Sequence, residues 1–277
     1  MNAFKSIFIL QSMESKKELL EQKIVAVLAE PSPMALVDSA RELEKQADIF
    51  KLRLDCLEPQ YLNENTIRFL RENLPNHELM ISIRHNDSVP ESRNHFEGFK
   101  PIKFKDKDYE RIHLLREAVQ EQENGVQYFE LEHEHRANFF LGGKNVPKII
   151  VLYTNHKETP SLERLSAISS DIIRVGADHI VIETLIRDKK GDGGEEDRKT
   201  LLDFAERNLF VKNSRPLTIV GRGKYGGDLN LEAYKKGIST FAYGIVSSFH
   251  PIPLFGKKKA YQELPSLDRL RKEISLN

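Results

Sequence analysis

The chain is short of several things that would announce a function. Of its 277 residues one is a cysteine, Cys56, so there is neither an internal disulfide nor a cysteine-based metal site, and redox chemistry is excluded as a theme. Cys56 sits in an apolar, strand-like stretch, where a buried inert thiol is expected. Net charge is also missing: 42 Lys and Arg balance 42 Asp and Glu. Such a chain has no long-range attraction for a phosphate backbone or an anionic membrane, which argues against nucleic acid and lipid surfaces as partners. No apolar run approaches the roughly 20 residues of a bilayer span, and mean hydropathy is −0.48. With no clear cleavable signal at its start, the sequence is expected to be soluble and cytoplasmic.

What is present is alternation. Short runs rich in Val and Ile recur, each followed by helical spacing, the pattern of βα units around a parallel sheet. Strands are expected at 23–30, 48–57, 79–86, 126–133, 148–155, 179–186, 217–224 and 239–246. Helices are expected at 33–46, 65–74, 108–122, 136–141, 162–170, 195–208, 231–236 and 266–274. Eight of each predicts a single-domain (β/α)8 TIM barrel over 23–277, with 1–22 as an N-terminal arm or short helix. The glycine-rich, mixed-charge run 187–198 reads as a mobile loop at the barrel mouth. The run Gly223-Lys-Tyr-Gly-Gly227 could suggest phosphate binding but reads better as a tight turn.

Motifs then fall in chain order. Ile49-Phe-Lys-Leu-Arg-Leu-Asp55, Ile81-Ser-Ile-Arg84, Glu97-Gly98, Phe129-Glu-Leu-Glu132, Lys148-Ile-Ile-Val-Leu-Tyr-Thr-Asn-His-Lys-Glu-Thr-Pro160, Gly176-Ala-Asp178 and Arg215-Pro216 with Gly223-x-x-Gly226 together resemble the type I 3-dehydroquinate dehydratases of the shikimate pathway. The resemblance implies a barrel that removes water from 3-dehydroquinate through an imine between a strand-six lysine and the substrate ketone. A strand-five histidine would act as acid and base, with no metal and no cofactor. The logic is that an iminium is a better electron sink than a ketone, and an imidazole titrates near neutrality.

Both catalytic residues are replaced in this alignment. Thr154 stands at the histidine position and Val181 at the lysine position, 27 residues apart. A valine forms no imine, and threonine has no usable basicity near neutral pH. Other departures agree: the strand-two glutamate is Lys51, the carboxylate-gripping arginine of loop seven is Asn230, Arg222 replaces a methionine, and the lid motif is absent around His250-Pro-Ile-Pro253. Displaced candidates are His156, two residues beyond Thr154, and Lys51, but two strand residues shift a side chain by about 6.5 Å. His156 reads more readily as a loop-start histidine at the rim, hydrogen-bonded or solvated, than as a displaced base. Strand periodicity and the resemblance turn Lys51, Arg53, Asp55, Arg84, Glu130, Glu132, Glu183 and Arg222 toward the mouth, four cations and four anions. They form either a substrate-binding set led by Arg53, Arg84, Lys51, Glu130 and Arg222, or a self-neutralised plug. The sequence thus leaves three readings: a family barrel without imine chemistry that at most binds a small polar or anionic molecule, an active dehydratase with displaced residues, and a non-catalytic partner-binding barrel. A homodimer is compatible with each.

Overall fold

The computed structural model describes residues 21–83, 126–133, 147–211, 214–245 and 264–275. Within them eight parallel strands form one sheet rolled into a nearly closed barrel: β1 Lys23–Leu28, β2 Ile49–Arg53, β3 Glu78–Ser82, β4 Tyr128–Glu132, β5 Lys148–Asn155, β6 His179–Leu185, β7 Leu217–Arg222 and β8 Phe241–Ile245. Strands pair in chain order, and β1 also pairs with β8. Six α-helices are described: α1 Pro33–Glu42, α2 Glu64–Asn73, α3 Leu162–Arg174, α4 Glu195–Phe210, α5 Leu229–Lys235 and α6 Leu267–Ser275. The expected (β/α)8 barrel is therefore the observed fold. The helices expected at 108–122 and 136–141 lie outside the described residues, as do Arg84, the 250–253 segment and residues 1–20.

Local chemistry sets the boundaries. Ser32 caps α1 by accepting from the Ala35 N–H, with Pro33 at the first helical position, and Ser161 caps α3 through the Arg164 N–H. Helix α3 runs on to Arg174 rather than stopping at Ser170, because Ile168 and Ile172 continue the buried stripe and Ser166 and Ser170 turn their hydroxyls back onto backbone carbonyls. Strand β2 is shorter than expected. It stops at Arg53, and Leu54–Cys56 form a 3-10 turn, so Cys56 is buried in that turn and not in a strand. The Arg53–Asp55 pair favours this tight turn over two more strand residues.

Alternate strand residues divide the core. Leu52, Ile81, Phe129 and Ile182 pack outward beneath the helices, while Val27, Ile150, Leu152, Val181, Val220 and Phe241 cluster inside the barrel. The seam between β7 and β8 is held differently from the other strand junctions. Thr240 N–H donates to the Leu217 carbonyl (2.9 Å), Phe241 N–H to Thr218 Oγ1 (3.1 Å) and Ile219 N–H to Ser239 Oγ (3.1 Å). Gln22, just before β1, fastens to the same region by donating to the carbonyls of Tyr234 and Ser239. No helix among the described residues is long and apolar enough to cross a membrane.

Candidate functional site

The inward face of β2 reads Ile49, Lys51, Arg53, an apolar residue followed by two cations climbing toward the carboxyl ends of the strands, where barrel sites are built. Each cation meets a carboxylate. Lys51 Nζ lies 2.5 Å from Glu130 Oε2 on β4 and 5.1 Å from the centre of the Tyr243 ring. Ser82 on β3, paired in register with Glu130, donates its hydroxyl to the other carboxylate oxygen at 2.8 Å. Arg53 forks onto Asp55, Nε to Oδ1 at 2.8 Å and Nη2 to Oδ2 at 2.5 Å. Burial works against the Arg53 charge, and Asp55 together with Cys56 and Glu130 more than offsets it, so the guanidinium pKa is raised above its ordinary value. Arg222, the last residue of β7, donates Nη2 to Glu183 Oε2 on β6 at 2.8 Å. Glu132 is buried on the same strand face as Glu130. Seven of the eight charges expected at the mouth are described, and three ion pairs join six of them; the eighth, Arg84, lies outside the described residues.

Thr154 and Val181 lie on neighbouring strands, with Leu152 opposite Val181 and Thr154 opposite Glu183. Val181 is buried in the apolar cluster inside the barrel, and Thr154, one layer higher, is partly exposed. His156 does not continue the inward face of β5. The strand ends at Asn155, whose side-chain carbonyl accepts from the N–H groups of Lys157 and Glu158 and starts a turn there, which leaves His156 partly exposed at the rim.

Two positions carry roles that the sequence reading did not foresee. Asn230, which the resemblance placed in a substrate-gripping loop, is 1% exposed in α5 and bridges the barrel seam. Its Nδ2 donates to the carbonyls of Ile219 (2.9 Å) and Phe241 (3.0 Å), and its Oδ1 accepts from the Tyr243 N–H (2.8 Å). An asparagine two turns of chain past β7 gives no hint in sequence that all its polar groups face inward. His179, the first residue of β6, is buried at the opposite end of the barrel from the mouth, stacked on Phe241 (ring centres 4.2 Å apart, planes within 3°) with Nε2 2.9 Å from Thr218 Oγ1. Burial pushes its pKa down to about 3.

Of the two loops read at the mouth, one differs from expectation. The 187–198 run is pinned: Asp188 accepts from Gly193 N–H, Asp192 from the N–H groups of Gly194 and Glu196, and buried Asp197 from Arg187 N–H, while Asp197 Oδ1 forms an ion pair with Lys189 Nζ at 2.6 Å. Short polar side chains that hydrogen-bond nearby backbone make an ordered loop from a composition that reads as mobile. The 223–227 run is the tight turn expected. Gly223 has φ +84°, and a Cβ on Gly226 would lie 2.5 Å from the backbone of Gly221 and Arg222. Among the described residues no three His, Cys, Asp or Glu side chains are grouped to hold a metal ion.

Several comparisons bear on this barrel. Among solved structures it is similar to a type I 3-dehydroquinate dehydratase from Clostridium difficile, at 18% identity, with 92% of each chain covered and a TM-score of 0.71. It is likewise similar to the 3-dehydroquinate dehydratases of Geobacillus kaustophilus HTA426 (19% identity, 92% and 91% covered, TM-score 0.66) and Enterococcus faecalis (18%, 92% and 94%, 0.66). No significant match is found among curated protein sequences. These structural likenesses establish the fold, and the family follows from the match to the type I 3-dehydroquinase model over residues 24–226, most of the barrel: the chain belongs to the type I 3-dehydroquinase family.

Proposed function

We propose that the protein keeps the family's barrel without the family's imine chemistry, and that it at most holds a small anion at the mouth. The observation that carries this reading is Val181, buried in the apolar interior at the position the resemblance assigns to the imine-forming lysine. Neither displaced candidate compensates. Lys51 is engaged by Glu130, and His156 lies beyond the end of β5. In this reading Thr154 and Val181 are the lost catalytic positions, Arg53, Arg84, Lys51, Glu130 and Arg222 are remnants of a substrate-binding set, and no metal or cofactor takes part. Its setting is the cytoplasm, as a monomer or homodimer.

The test is reduction with borohydride in the presence of 3-dehydroquinate, followed by intact mass measurement, alongside an assay for loss of water from the same compound. The expected result is no mass increase and no turnover. A mass increase abolished by Lys51→Ala would overturn the reading in favour of an active dehydratase with displaced residues. A second reading, a non-catalytic subunit or partner-binding barrel, is favoured by the three ion pairs that fill the mouth with internal partners. Thermal-shift screening with small carboxylates and phosphates separates the two, since a closed barrel responds to none of them.

A further inference from the structure

Thr218 Oγ1 serves two neighbours at once. It accepts the Phe241 N–H at 3.1 Å, one of the few bonds that join β8 to β7, and it lies 2.9 Å from His179 Nε2 on β6. A hydroxyl has one proton to give and two lone pairs. Thr218 is 0% exposed, and the Phe241 N–H occupies one of those lone pairs, so among the described residues the acceptor for its proton is His179 Nε2. The neutral imidazole therefore carries its own proton on Nδ1. Phe241 also lies flat against the imidazole, with ring centres 4.2 Å apart. One residue of β8 thus meets His179 twice, through its backbone by way of Thr218 and through its ring.

A proton added at Nε2 reverses this arrangement. Two donors then converge on Thr218 Oγ1, and the hydroxyl proton loses its acceptor in a buried place. The groups facing the imidazole do not offset that cost. Glu130 on β4 attracts the charge and Lys148 on β5 repels it, and burial outweighs both, so the folded pKa is pushed down to about 3. Tyr128, edge-on to Phe241, has its phenol pKa raised by burial and stays neutral. Asp178, next in the chain, is turned to the Ile149 N–H. The charge is accommodated only if β8 parts from β7, because that step frees a lone pair on Thr218 Oγ1 and brings the imidazole to solvent. Few bonds oppose it: the Thr240 N–H to the Leu217 carbonyl, the Ile219 N–H to Ser239 Oγ, and the Asn230 bridge. We infer that His179 is an acid-sensitive lock on the β7–β8 junction, closed while its Nε2 accepts from Thr218 and released when that nitrogen is protonated, so that acid opens this junction while the remaining ladders hold.

The open form titrates near 6.5 and the closed form near 3. Between those values the open form binds the extra proton, so closure weakens as pH falls, up to tenfold per pH unit. The experiment is amide hydrogen exchange followed by NMR on the full chain at pH 6.5, 5.5 and 4.5, each in 0 and 1 M urea. Protection of the Ile219, Thr240 and Phe241 amides, corrected for intrinsic exchange, is expected to fall about fiftyfold from pH 6.5 to 4.5. It is expected to be unchanged by the urea, as a local opening requires, while amides of the β4, β5 and β6 ladders lose protection in urea. In His179→Gln, which keeps an acceptor toward Thr218 but takes no proton in this range, the pH dependence at the junction is expected to vanish. Junction amides that respond to urea as steeply as the ladders would overturn the inference, because the barrel would then open only by unfolding. A pH dependence that survives His179→Gln would also overturn it. Imidazole nitrogen shifts of the wild type give a reading that needs no variant: they are expected to show the proton on Nδ1 at pH 7, and a proton on Nε2 would sink the lock. The junction lies away from the mouth, so these outcomes are independent of the imine test.

Discussion

At the scale of single residues, burial turns ordinary side chains into fixed commitments. Glu130 is 2% exposed and placed between Lys51 and Ser82. Taking away Lys51 breaks a buried ion pair on one side, a loss of about 3–5 kcal/mol. Lys51→Met is therefore expected to lower the denaturation midpoint sharply, and Lys51→Met combined with Glu130→Gln to recover much of the loss. If the double variant is no more stable than the single, the pair is not the reason. His179 makes the matching point for acid. Its folded pKa is about 3 against about 6.5 when unfolded, so between those values the unfolded chain binds a proton that the folded chain does not, and stability drains away as pH falls. From pH 7 to 4.5 this one group should remove about 2–3 kcal/mol. Denaturant titrations at the two pH values should show a loss smaller by that amount in His179→Leu than in the wild type.

At the scale of elements, the legible and illegible parts of the sequence separate cleanly. Buried parallel strands write themselves as Val- and Ile-rich runs, so all eight were readable, and β5 was placed to the residue. The end of β2 was not readable, because the Arg53–Asp55 bond that shapes the 3-10 turn is made two residues apart by side chains that alternate correctly for a strand. The mouth was half legible. Periodicity turned the charged residues inward, but it could not say that Glu130 takes Lys51 while Glu183 takes Arg222, since those partners lie on different strands. The bridging role of Asn230 was illegible for the same reason: its partners lie on β7 and β8, remote from it in sequence. Replacing it by alanine leaves two carbonyls and one N–H buried without partners, and Asn230→Ala is expected to cost about 3–5 kcal/mol. Asn230→Asp should cost more at neutral pH, because it sets a carboxylate against the carbonyls of Ile219 and Phe241. Wild-type melting in either variant would show that the bridge contributes nothing.

At the scale of the whole molecule, a shared fold and a shared activity are separate properties. The family model spans residues 24–226 and the barrel closes in the family's manner, yet fold alone does not assign function. Reinstalling the two family residues as Thr154→His with Val181→Lys is expected to give at most feeble dehydration of 3-dehydroquinate. Asn230 would still be occupied in the seam, and Glu183 with Arg222 would still lie over position 181. Turnover at a substantial rate in that double variant would show that the rest of the pocket had been waiting intact.

The seam has one more consequence. Seven strand junctions of the barrel are continuous backbone ladders, whereas the eighth leans on hydroxyls of Thr218 and Ser239 and the amide of Asn230. The cylinder is thus a rolled sheet fastened by a clasp, and a clasp fails differently from a wall. Releasing it need not melt any strand. It bares β7 and β8 as two raw edges with unclaimed peptide groups, each a template for the edge of another molecule. Damage at this line should therefore surface first as strand-to-strand association between copies, at temperatures where each barrel still holds nearly all of its secondary structure.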